Sequence, residues 1–127
     1  MSTVPAIPQQ ISFTSNLGND FQTKLVPRNA DNSIFDCTNY SVSPTLKYLP
    51  QQGNAAAGTP LSLTPTVEAH DATGITIKIA AAALATAAAA LYGMPAQFSF
   101  EVTDSGTNVL LAAFGQMTIS QNPSNPL

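Results

Sequence analysis

The chain has 127 residues, and only 9% of them are charged, far below the roughly 25% of an average soluble domain. This length fits one domain with one hydrophobic core. Seven Asp and Glu outnumber four Lys and Arg, which excludes a basic face for nucleic acid. The single cysteine, Cys37, excludes an internal disulfide, and one cysteine with one histidine leaves zinc ligation unsupported.

The ends of the chain and its longest apolar stretch predict no membrane segment. Met1–Gln10 lacks the basic start and apolar centre of a signal peptide. The apolar stretch Ile79–Leu91 is shorter than the about 18 to 20 residues that cross a bilayer. We therefore expect a soluble protein made in a cytoplasm.

The first half of the chain predicts short strands after an extended arm at residues 1–10. Apolar residues alternate with polar ones around Ile11–Phe13, over Phe21–Leu25 and over Val42–Tyr48. Polar turns separate these strands. Pro44 interrupts the third strand and predicts either an edge strand or a bulge there.

The second half predicts further strands and one helix. A flexible loop over Gln51–Pro60 leads into a strand over Leu61–Val67, which Pro65 interrupts. Ile75–Ile79 is the clearest strand. The alanine-rich stretch Ala80–Ala90 predicts a short helix, which Gly93 and Pro95 end.

Two more strands complete the pattern. Phe98–Val102 leads through a hairpin turn at Asp104–Thr107 into a long last strand. One face of that strand is predicted to carry Val109, Leu111, Ala113, Gly115, Met117 and Ile119. Residues 121–127 form a polar tail.

About seven strands and one helix predict an all-β fold, a two-sheet sandwich over residues 11–120 with the helix in a crossover, rather than an α/β fold. The predicted core residues lie on the consistent face of each alternating strand. They are Phe21, Leu25, Val42, Leu46, Ile75, Ile77, Phe98, Phe100, Val102, Met117 and Ile119.

Three segments carry a resemblance to a known family. Asp31–Tyr40 is a polar turn followed by an alternation of apolar residues with Asp and Thr that ends in Tyr. Ile75–Ile79 runs directly into the helix. Phe98–Asp104 is followed by a turn and by Gly115–Ile119. In this order they resemble the immunoglobulin-like β-sandwich domains of tailed-bacteriophage structural proteins, over roughly residues 20–120.

The resemblance implies an immunoglobulin-like fold and a scaffolding or adhesion role, with no catalytic residue to transfer. We expect a non-enzymatic capsid decoration, or cement, protein of the virion, made in the host bacterial cytoplasm. It would bind the phage major capsid protein or other virion proteins in many copies, without a cofactor, nucleic acid or a membrane. Low charge suits such packing because few charged groups must lose water.

Two alternatives stay open. A baseplate, tail accessory or fibre-attachment protein belongs to the same class; we expect the head because no fused fibre segment is found. A carbohydrate-binding adhesive module belongs to a different class. The absence of Trp and the presence of only three Tyr disfavour it, because aromatic rings usually stack on sugars.

Residues that could carry chemistry have simpler structural interpretations. His70 and Asp71 are strand neighbours that point to opposite faces, so we expect no catalytic dyad. Asp31, Asp36 and Asp104 could hold Ca²⁺, but turn formation is the usual role of such residues. We expect Asp36 and Thr38 to fix the turn before Tyr40. Nothing basic near Cys37 would activate its thiol.

Several residues are predicted to form protein interfaces. Leu110, Ala112 and Phe114 are expected on the outer face of the last strand, where they would make an exposed apolar patch unless the helix covers them. The two chain ends are predicted to be docking arms, because they contain too little apolar surface to fold alone. The predicted interface residues are Pro5, Ile7, Pro8, Leu110, Phe114, Pro123 and Pro126.

Overall fold

Two sheets and one helix account for the regular structure. A computed structural model describes residues 2–3, 5–16, 18–49, 60–91 and 95–120. Across these ranges there are nine strands, counting one of two residues, and a single helix. In chain order they are β1 (Ser2–Thr3), β2 (Gln9–Asn16), β3 (Phe21–Leu25), β4 (Val42–Leu49), β5 (Leu61–Leu63), β6 (Thr66–Asp71), β7 (Gly74–Ile79), α1 (Ala81–Leu91), β8 (Ala96–Thr103) and β9 (Asn108–Ser120).

The larger sheet has the strand order β9–β8–β4–β5, with β1 and β2 both paired in parallel with β9. The smaller sheet has the antiparallel order β3–β7–β6. Buried side chains from both sheets and from α1 form one hydrophobic core. The prediction of a mostly β, two-sheet, sandwich-like fold with one short helix is confirmed.

Pro65 marks the place where the chain changes sheets. A single interrupted strand was predicted over Leu61–Val67, but β5 belongs to the larger sheet and β6 to the smaller one. Pro65 is fully buried between them. Because proline has no N–H to donate, a break in the ladder at this position leaves no backbone donor without a partner.

The helix α1 carries the chain back from β7 in the smaller sheet to β8 in the larger sheet, as predicted. Its buried residues Leu84, Ala87 and Leu91 follow the helical spacing that places them on one face. The Ala81 N–H donates to Asp20 Oδ1 at 2.8 Å, so a residue distant in sequence supplies the N-terminal cap. That hydrogen bond lowers the pKa of Asp20. The predicted terminator Gly93 lies outside the described residues.

Most of the predicted core residues are buried, with two exceptions. Phe21 is half-buried and stacks on Phe13 with ring centroids 4.5 Å apart. Val42 is 43% exposed, so its placement in the core was wrong. The pairing of β4 with β8 shifts between Val42 and Thr45. Of the two alternatives predicted from Pro44, an edge strand or a bulge, this shift is the bulge, and it turns Val42 outward.

A second bulge corrects the predicted register of β9. Leu110 pairs with Val102 and Leu111 with Glu101, but Phe100 pairs with Ala113. Ala112 is therefore an extra residue, and the side chains on either side of it change faces. Leu110 and Ala112 are fully buried, contrary to their predicted outward position. Val109 and Leu111, predicted to face inward, are only half-buried.

The described part of the N-terminal arm lies along the domain itself. Gln9 and Gln10 belong to β2 and pair with Ala113 and Phe114. The Ile7 N–H donates to the Arg28 carbonyl oxygen at 2.7 Å, and the Arg28 N–H returns a bond at 2.9 Å. The tail 121–127 and most of the predicted loop at 51–60 lie outside the described residues, and the predicted domain limits stay a prediction.

Candidate interaction surface

Five large apolar side chains are exposed in the described ranges: Ile7, Ile34, Val42, Leu49 and Phe114. Ile7 and Ile34 lie near each other on a small ladder of three chain segments. The other three lie on the outward-facing side of the larger sheet. These two places are the N-terminal patch and the outer face.

The N-terminal patch consists of Ile7, Arg28 and Ile34. Ile7 and Ile34 each form an antiparallel bridge with Arg28, so the three side chains lie in one row on the same side of the ladder. Ile7 is 50% exposed and Ile34 is 41% exposed. The Arg28 guanidinium donates to the Asn32 carbonyl oxygen at 3.2 Å.

The turn that precedes Ile34 is held by hydrogen bonds between its own residues, from both backbone and side-chain groups. Asn32 has a φ of +72°, a conformation that asparagine tolerates better than most residues. The Asn29 N–H donates to the Ser33 carbonyl oxygen at 2.8 Å, and the Asn29 amide donates to Ser33 Oγ at 3.0 Å. The polar turn Asn29–Ser33 therefore leads directly into Ile34.

The outer face carries mostly uncharged polar side chains. Lys47, Ser99 and Phe114 lie in one row across three strands. The Lys47 ammonium lies 3.4 Å from a Glu101 carboxylate oxygen, so these two charges offset each other. The rest of this face offers amides, hydroxyls and a few apolar groups.

A hollow of about 570 Å³ lies on the outer face where β2, β9 and β8 adjoin. We call it the glutamine hollow because Gln10, Gln97 and Gln116 line it together with Ser12 and Phe114. Phe114 is 39% exposed and has no ring contact within the described chain. A second hollow of about 320 Å³ begins on the other side of Gln97 and extends toward Leu49 and Pro60.

The residues predicted for protein interfaces are not brought together in one place. Pro5, Ile7 and Phe114 are exposed, and Pro8 is half-buried. Leu110 is wholly buried, so its predicted place on an outer face was wrong. Pro123 and Pro126 lie outside the described residues. The interface role of the exposed residues stays a prediction.

Three aspartates use the same local hydrogen bonds. An oxygen of Asp31, Asp36 or Asp71 accepts from the backbone N–H and from the hydroxyl two residues further on, at Ser33, Thr38 and Thr73. The Thr38 hydroxyl lowers the pKa of Asp36, and the equivalent bonds lower the pKa of Asp31 and of Asp71. The turn predicted for Asp36 and Thr38 is confirmed. No group of three or more His, Cys, Asp and Glu that could hold a metal occurs in the described ranges.

His70 and Asp71 engage different partners. His70 Nδ1 lies 2.8 Å from the Thr38 carbonyl oxygen; a carbonyl can only accept, so this ring nitrogen carries the proton. Asp71 accepts from Thr73. Cys37 is wholly buried, and burial raises the pKa of its thiol to about 11, which disfavours the reactive thiolate.

No protein-family model matches this chain, and no curated protein matches its sequence. In the described part of the chain, no helix has both the length and the apolar character needed to span a membrane.

Proposed function

We propose that this protein is a non-enzymatic structural protein of a tailed-bacteriophage particle, and that it decorates the head by binding the major capsid protein. The observation that carries the proposal is the N-terminal patch, where Ile7 and Ile34 remain exposed on either side of Arg28. Exposed apolar groups with a polar rim are typical of protein-binding surfaces. A tail or baseplate position is the alternative that the same contact allows.

The strand order supports the finer assignment to the immunoglobulin-like type. The order β5–β4–β8–β9 facing β3–β7–β6 corresponds to strands C′, C, F and G facing B, E and D of a variable-type domain. Domains of this type commonly serve as binding or structural modules, although a fold alone does not determine a function.

The low charge of the chain supports attachment to protein rather than to nucleic acid or to an anionic surface. Arg28, the charged member of the patch, has its guanidinium hydrogen-bonded to a carbonyl oxygen. Burying Ile7 and Ile34 against another protein removes apolar surface from water, which favours association.

The experiment uses particles that lack this protein and purified protein added back to them. The double variant Ile7→Ser, Ile34→Ser should bind such particles far more weakly than the native protein, with a nearly unchanged melting temperature, because both side chains are exposed. Val42→Ser is the matched control, since Val42 is similarly exposed but lies on the outer face. Equal binding by all three proteins would refute the assignment of the patch.

A further inference from the structure

We propose that the glutamine hollow binds an uncharged polysaccharide. The inference goes beyond attachment to a particle, because the hollow and the N-terminal patch share no residue.

The hollow is built by the register of three strands. Gln10 pairs with Phe114, and in the next outward row Gln116 pairs with both Ser12 and Gln97. Directly opposed residues share a face, so all five side chains point outward together. Three strands span about 10 Å at the usual spacing between strands, which suits a short stretch of sugar chain.

The chemistry of the lining matches that of a neutral sugar. A glutamine amide both donates and accepts hydrogen bonds, and the Ser12 hydroxyl does the same, as do the neighbouring hydroxyls of a sugar ring. In the described part of the chain the amides of Gln10, Gln97 and Gln116 make no hydrogen bond, whereas the Gln9 amide oxygen accepts from the Val26 N–H at 2.8 Å. The Phe114 ring offers a flat apolar surface for the C–H face of a sugar.

The same lining disfavours other ligands. None of the described residues that line the hollow is charged, so an anionic polymer finds no cation among them. Lys47, which lines the neighbouring hollow, is already paired with Glu101. A peptide that binds by adding a strand needs the free backbone groups of a sheet edge. The face of a sheet offers none, because its backbone groups bond within the ladder.

The two hollows adjoin at Gln97. The second one adds Leu49, Pro60 and Ser99, which again combine apolar surface with a hydroxyl. A chain of several sugar units could therefore extend from Phe114 across β8 toward β5, with Gln97 in contact with its middle.

Retention on immobilised neutral polysaccharides tests the inference. The panel contains dextran, mannan, galactan, arabinoxylan and cellulose oligosaccharides, and heparin and alginate serve as anionic comparisons. We expect retention by at least one neutral polymer and by neither anionic one. Phe114→Ala and Gln97→Ala should each weaken binding about tenfold, the factor that one good contact contributes.

Two control variants separate this site from the rest of the surface. Gln22→Ala changes an exposed glutamine of the smaller sheet, and Val42→Ala changes an exposed apolar residue of the outer face away from the hollow; both should bind the polymer normally. Ile7→Ser should also bind the polymer normally. Polymer binding and particle binding are therefore tested by different variants, so that either proposal can fail while the other holds. Absence of retention on every neutral polymer, equal retention of all variants, or loss of particle binding by Phe114→Ala would each overturn the inference.

Discussion

Truncation of Leu110 tests the register of the last strand most sharply, because the next residue is a matched control. Leu110 is 0% exposed, whereas Leu111 is half-buried on the opposite face. Replacing a fully buried leucine by alanine removes its packing and leaves a cavity, which costs about 2–5 kcal/mol. Leu111→Ala leaves no closed cavity and should cost about 1 kcal/mol or less.

Urea denaturation with a shared slope measures the difference, since an unchanged slope means that only stability has changed. Natural domains have about 5–15 kcal/mol of stability in total, so Leu110→Ala should shift the midpoint clearly. A chain of this size should also melt about 10–20 °C lower. A larger loss for Leu111→Ala than for Leu110→Ala would refute the bulge at Ala112 and restore the simple alternating register.

Three further outcomes follow from local geometry. Gly115→Ala should lower the free energy of unfolding by about 2–4 kcal/mol in urea denaturation, because φ is +154° and a Cβ would overlap the Ile11 carbonyl group. The control Gly106→Ala should be nearly neutral, because its Cβ would meet only an Asp104 oxygen at 3.5 Å. Equal losses of stability in the two variants would refute this reason. Native Cys37 should react with a thiol reagent at pH 8 only as fast as the protein unfolds; rapid reaction would show that the thiol is accessible. The free energy of unfolding should be constant at neutral pH and decrease as the pH falls below about 3.8, the ordinary pKa of the aspartates. Their folded pKa values are lower, so the unfolded chain takes up protons first; a decrease that begins near pH 6 would contradict this assignment.

Local patterns predicted most of the architecture. Alternation of apolar and polar residues identified β7 and β8, because both strands have one consistently buried face. Alanine content identified α1, because alanine has the highest helix propensity and this stretch shows no strand-like alternation. The turn at Asp36 was predictable because its hydrogen bonds join residues two apart in the chain.

Features that depend on distant parts of the chain were not predictable in this way. The bulge at Ala112 exists only relative to β8, and alternation within β9 cannot reveal an extra residue. The division of β5 from β6 at Pro65 could not be predicted, because it depends on which sheet each strand joins. The cap of α1 comes from Asp20, which lies 61 residues before the helix.

The candidate surfaces were only partly visible in the sequence. Ile7 and Phe114 were predicted to be interface residues. Ile34 was missed, because its place beside Arg28 depends on a bridge that the local sequence does not show. The glutamine hollow combines residues from three strands, and surface glutamines that are distant in sequence give no signal of their own. Register, rather than residue type, assembles both surfaces.

The most direct test of the functional proposal is to count copies of this chain in purified phage particles by quantitative mass spectrometry against the major capsid protein. A decoration protein repeats with the symmetry of the lattice it covers, so we expect hundreds of copies per particle. A few dozen copies would place the protein in the tail or the baseplate. Absence of the chain from the particle would contradict the account.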